Sequence, residues 1–166
     1  MPMGLSEASN ILWRQRHLLE LLLFKLDVEQ TLLAAGRLRW LARATNEVEM
    51  VLDEIRSIEL ARTVAVDDVA ASLGLGSGCS LRELAAAAPP PWDGIFTEHR
   101  SAFLALTQEI SVVARANRDL VTHAQQSVAA VLELVGEGGP GSPFDAARPG
   151  SAATRRTSPL MVDEVV

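Results

Sequence analysis

A chain of 166 residues, 48% hydrophobic and 22% charged, is long enough for one domain with a sizeable core. Only 4% of it is aromatic and Tyr is absent, so that core is aliphatic, which suits helix on helix better than sheet on sheet. A net charge of −6 argues against a general nucleic-acid binder, which needs a basic face to displace phosphate counterions.

The charge is uneven. Residues 1–43 hold six Lys/Arg against four Asp/Glu, residues 44–79 two against seven, and residues 80–137 four against seven. A mildly basic first helix against an acidic second one is the expected arrangement. Cys79 is the only cysteine, which excludes an intrachain disulfide and suits a reducing compartment. No basic stretch followed by an apolar run and a cleavage site opens the chain. The most apolar run, Leu18 to Leu26, contains Glu20 and Lys25 and reaches about half of the roughly 20 residues a membrane span needs. The expectation is a soluble cytoplasmic protein, without membrane insertion or nucleic-acid binding.

Four helical segments and a tail follow in order. The first is predicted from about Ser6 to Ala35, with Leu12, Leu19, Leu26 and Leu33 every seventh residue and Leu22 and Glu29 between them, a coiled-coil stripe. Leu18, Leu23 and Leu32 widen the stripe, so more than one neighbouring helix is expected. Gly36 reads as its C-terminal cap and Arg37 to Ala42 as a tight turn or a short helical connection. The second helix is expected to open at Asn46, with Glu49 completing a capping box. Its inward row is Val48, Leu52, Ile55, Glu59, Arg62, Val66, Val69 and Leu73, with a local break possible at Thr63 to Val66 and a restart at Asp67.

The Gly-rich run Gly74 to Gly78 ends that helix. Ser80 and Glu83 form a second capping box for a short helix through Ala88, which Pro89, Pro90 and Pro91 stop. The last helix is predicted from Trp92–Glu98 to about Val135. One row is Phe96, Phe103, Ile110, Asn117, Ala124 and Val131; the other is His99, Leu106, Val113, Leu120, Ser127 and Leu134. Residues 1–137 are thus read as a helical domain, and residues 138–166, rich in Gly, Pro, Ser and Ala, as a disordered tail.

Catalytic and metal-binding patterns find little support. Cys79 has no His beside it in sequence and reads as an inert thiol. His17, His99 and His123 share no i,i+4 spacing, and no Glu-x-x-His unit is present. The Gly74–Gly78 run follows a helix rather than the strand a phosphate loop requires. Trp92-Asp93-Gly94 is similar to the Trp-x-Gly turn of small helical secreted substrates, which leaves a secreted effector as the alternative function. Packing of Trp92 over the start of the helix is the simpler account. No enzyme activity and no cofactor are expected.

Polar residues in the seams are more informative. Asn117 interrupts an apolar row, where a buried Asn sets register and partner. Glu29, Glu59 and Arg62 also fall inward, and Arg62 is expected to pair with Glu29 across the first two helices or with Glu59 on its own. Beyond Asn117, Leu120, Val121, Ala124, Val128, Val131, Leu132, Leu134 and Val135 cover more than one seam. If the last helix outruns the first, this stripe is left for a partner helix. The alternatives are that it folds back on the bundle or pairs with a second copy as a homodimer.

Taken in order, these segments resemble the FlgN-like flagellar export chaperones over roughly residues 10–135. The matching stretches are Leu18 to Glu29, the Arg37–Leu41 turn, Ile58-Glu59-Leu60-Ala61-Arg62, Leu73-Gly74-Leu75, Ser80-Leu81-Arg82-Glu83-Leu84 and Ala116-Asn117-Arg118-Asp119-Leu120. The resemblance implies an all-α export chaperone that binds the C-terminal helical regions of hook-associated (hook–filament junction) proteins and delivers them to the flagellar export apparatus. It places client contacts on the distal last helix, where the apolar stripe also points; the candidate client-binding residues are Asn117, Leu120, Val121, Ala124, Val128, Val131, Leu132, Leu134 and Val135, and Glu29, Glu59 and Arg62 read by register as a structural polar seam. The expected fold is a long antiparallel helical hairpin, or coiled-coil-like bundle, of three main helices plus a short one.

Overall fold

The computed structural model describes residues 2–136, and every element in it is helical: α1 (Pro2–Ala34), α2 (Leu38–Ser72), α3 (Leu81–Ala87) and α4 (Trp92–Gly136). The tail expected at 138–166 lies outside the described residues. The all-α bundle of three long helices and one short helix is the observed fold.

The heptad leucines explain how α1 is used. Leu5, Ala8, Leu12, Leu19, Leu22 and Leu26 are buried, and α1 packs on both α2 and α4. Each fully buried large aliphatic side chain of this stripe contributes about 1.5–3 kcal/mol to the bundle. The hairpin of α1 and α2 is antiparallel, with Lys25 meeting Glu47 at 2.7 Å and Arg62 reaching Gln15 at 3.4 Å. In contrast, α4 runs parallel to α1. Ser9 meets His99 and Leu26 meets Asn117, partners 90 and 91 residues apart, so the register is constant along the helix. Residue 34, the last of α1, therefore stands level with about residue 124 of α4.

Both long turns are built on glycine. Gly36 (φ 65°) and Gly74 (φ 76°) adopt the left-handed conformation that closes a helix C-terminus. The paired bonds Arg37 N–H to Leu32 O and Gly36 N–H to Leu33 O, and Leu75 N–H to Ala70 O and Gly74 N–H to Ala71 O, complete the same motif twice. Ser80 and Glu83 form the expected capping box at α3, which lies on α4.

Two boundaries differ from expectation. α1 begins at Pro2 rather than Ser6, and α2 begins at Leu38 rather than Asn46. Asn46 sits within the helix, its side chain directed at the Met50 sulfur. Ala44 is already buried against the hairpin one turn before Val48, so packing carries the helix back past the capping signal. The break at Thr63–Val66 does not occur. Thr63 Oγ1 donates to the Glu59 carbonyl at 3.0 Å and Val66 is buried, so the β-branched run stays helical. Asp67 does not restart a helix; its carboxylate accepts the Gly78 N–H at 2.8 Å and pins the glycine loop.

Candidate functional site

The row that α4 lays on α1 is buried at Phe96, His99, Phe103, Ile110 and Asn117, with Leu106 and Val113 packed beside it. Its last buried member is Asn117, whose Nδ2 donates to the Leu26 carbonyl at 3.0 Å and to Glu29 Oε2 at 3.1 Å. Glu29 also accepts from Thr45 Oγ1 at 2.8 Å, so one carboxylate links α1, α2 and α4. Asn117 is only 4% exposed and belongs to this seam rather than to the accessible flank on which the other expected contact residues lie.

Leu120 is half-buried, and every residue from Val121 to Gly136 is exposed. Val121, Ala124, Val128, Val131 and Val135 are themselves spaced 3-4-3-4; Ala124 and Val131 stay on the Phe96–Asn117 row, and Val121, Val128 and Val135 stand one position after Leu120, Ser127 and Leu134 of the other row. Leu120 and Leu134 flank them on one side, with Ser127 between these two, and Leu132 on the other, a mainly apolar arc of about 160° on a helix of 3.6 residues per turn. Exposure of 58% at Val128 and Val131, 64% at Leu132 and above 70% at Leu134 and Val135 shows that nothing in the described chain covers it. The cause is length. α1 has 33 residues and α4 has 45, and their common register leaves about twelve residues of α4, or roughly 18 Å, beyond the end of α1.

The polar seam is arranged differently from the expected Glu29–Arg62 pair. Glu29 is taken up by Thr45 and Asn117 near one end of the hairpin. Arg62 lies farther down, buried beside Gln15 with its guanidinium 5.6 Å from the Phe103 ring centre. Burial lowers the Arg62 pKa and the nearby Glu59 raises it; burial in turn pushes the half-buried Glu59 carboxyl up, against Arg62 and Arg56. Glu59 is thus the electrostatic neighbour of Arg62.

At the opposite end of the bundle a cleft of about 350 Å³ opens between the starts of α1 and α4, between Trp13 and Trp92. His99 lies in it, 1% exposed, with Nε2 3.3 Å from Ser9 Oγ and the Trp13 ring edge-on at 5.0 Å. Burial, with Arg16 adding, lowers its pKa to about 4, so it is neutral at pH 7. The seam register signals His99 in sequence, but its partner Ser9, 90 residues away, does not show there. Trp92 packs on Phe96 at 6.2 Å, as a residue covering a helix start does.

Cys79 is buried, and burial, with Glu83 and Asp67, raises its thiol pKa; such a thiol is neutral and unreactive. Among the described residues no group of three or more His, Cys, Asp or Glu side chains is placed to hold a metal ion. No described helix is long and apolar enough to cross a membrane.

No curated protein and no solved structure matches the chain. The FlgN protein family model matches residues 1–141, which takes in all four helices and the exposed end of α4. The chain therefore belongs to the FlgN family, the chaperones of flagellar type III protein export.

Proposed function

We propose that the free end of α4 binds the C-terminal helical region of hook-associated proteins in the cytoplasm, keeps them from assembling prematurely and hands them to the export apparatus. The action is stoichiometric: a client helix is covered, then released, and no bond is made or broken. One observation carries this reading. The face that α4 lays on α1 continues, apolar and exposed, after α1 has ended. A helix that fits there takes the place α1 would occupy if it were longer.

Each Val or Leu contributes at most about 1.5–3 kcal/mol on burial, while association costs about 4–15 kcal/mol. Several of these side chains must therefore act together. Val128→Asp combined with Leu132→Asp should abolish client capture in a pull-down with the C-terminal region of a hook-associated protein, while helicity and melting stay close to wild type. Undiminished capture by the double variant would refute the assignment.

A further inference from the structure

The first turn of α2 stands at the height where the free end of α4 begins. Trp40 is 46% exposed and Leu38 60% exposed. Trp40 lies on the same side of α2 as Ala44 and Val48, one and two turns on, both of which are buried. It is left uncovered because α1 has stopped. The Lys25–Glu47 and Glu29–Thr45 contacts put the end of α1 about level with Trp40, and the parallel register puts it about level with Ala124. Trp40 and the root of the α4 stripe thus stand at one height.

Around Trp40 the surface is basic. Arg37, Arg39 and Arg43 are exposed, and no Asp or Glu occurs between Gln30 and Asn46. The Arg39 guanidinium lies 4.8 Å from the Trp40 ring centre, while Arg43 is engaged by Glu47 at 3.2 Å. On α4, by contrast, no Asp, Glu, Lys or Arg occurs from Leu120 to Leu132. An apolar stripe without acidic or basic side chains up to Leu132 thus begins at the height of a tryptophan and arginine patch, residue types enriched in binding hot spots.

We propose that the partner of this surface is an amphipathic helix carrying carboxylates at the end that is seated on the α1–α2 turn. Its apolar face lies along the α4 stripe, and its acidic end meets Trp40 and the guanidinium groups of Arg37 and Arg39. Arginine holds carboxylate through paired N–H donors, and a basic end is repelled, so the patch sets which way round the helix lies. This rests on α4 being the client surface.

The test is titration calorimetry of the full-length protein with synthetic 20-residue amphipathic peptides that share one apolar face and carry three Glu or three Lys in the first or the last turn. One of the two Glu-ended peptides should bind about tenfold or more tighter than its Lys-ended counterpart, with the other end indifferent to charge. Arg37→Glu with Arg39→Glu should reverse that preference. In a Trp13→Phe/Trp92→Phe background, whose fold is checked by circular dichroism, Trp40 emission should shift to the blue on binding.

Equal binding of Glu- and Lys-ended peptides, with Val128→Asp/Leu132→Asp still abolishing both, would overturn the patch and leave the α4 surface standing. Binding that survives the α4 variant would overturn both. A Trp40 shift in the peptide-free protein on Asp163→Lys/Glu164→Lys would assign the patch to the chain's own C-terminal segment. Dimerisation abolished by Arg39→Glu would assign it to a second copy, and either result overturns the proposal.

Discussion

Asn117 donates one side-chain N–H to the Leu26 carbonyl and another to Glu29, and this is the last buried contact before α4 leaves the bundle. The bond joins residues 88 positions apart and fixes the height of α4 against α1. Asn117→Ala is expected to cost about 1–2 kcal/mol in chemical denaturation. Asn117→Asp should cost more at pH 7, because it sets a second carboxylate against Glu29. That excess should shrink as pH falls through the carboxylate range and one of the two protonates. Equal stability of the Ala and Asp variants at pH 7 would count against the contact.

Arg62 is buried between Gln15 and Phe103 with Glu59 in the same turn. Arg62→Ala removes the charge that opposes the desolvated Glu59 and leaves a void, at a cost of about 3 kcal/mol. Arg62→Met fills the volume and should recover at least half of that loss. Urea midpoints at constant slope measure both.

His99 adds a pH-dependent term. Its pKa is lowered to about 4 in the folded chain, against an ordinary value of 6.5. Between those values the unfolded chain binds the extra proton, so stability falls as pH drops from about 6.5 to about 4 and this contribution levels off below. His99→Phe should flatten the melting temperature against pH in that window relative to wild type. An unchanged slope would show that His99 does not titrate as its burial requires.

Equivalent positions of one row should respond oppositely on either side of Asn117. Phe103→Ala falls in the buried part and should cost about 3–5 kcal/mol. Val131→Ala, four heptads on in the same row and 58% exposed, should change stability by less than about 0.5 kcal/mol while weakening client binding. Thermal melts of the two variants side by side are sufficient.

Asp67 holds the far end of the loop after α2. Asp67→Ala removes the acceptor of the Gly78 N–H and should cost about 1 kcal/mol, with faster amide exchange at Gly78 as the specific readout.

What was legible in sequence follows the range of each signal. Heptad periodicity placed α1, through its leucines, and α4, through a mixed row of Phe, Ile, Val and Leu, and the Ser80–Glu83 box, which acts within one turn, placed α3. Asn46 misled because a capping pair is also local, whereas burial already begins at Ala44, ahead of the capping signal. Both Glu29 and Arg62 fall inward by register, but only the position of the Gly36 turn tells at what height along the hairpin each arrives, and they arrive at different heights. The unequal lengths of α1 and α4 were readable as residue counts. That the two run parallel, so that the excess begins at the height of Trp40, is a matter of tertiary packing.

The position of Gly36 also acts as a gauge. Because α1 covers α4 only as far as its own last turn, the accessible length of α4 depends on where the left-handed glycine ends α1. Seven residues inserted ahead of Gly36 with the leucine spacing kept would extend α1 by about 10 Å. More than half of the free rod would then be sheathed by the protein itself, although no residue of α4 had changed.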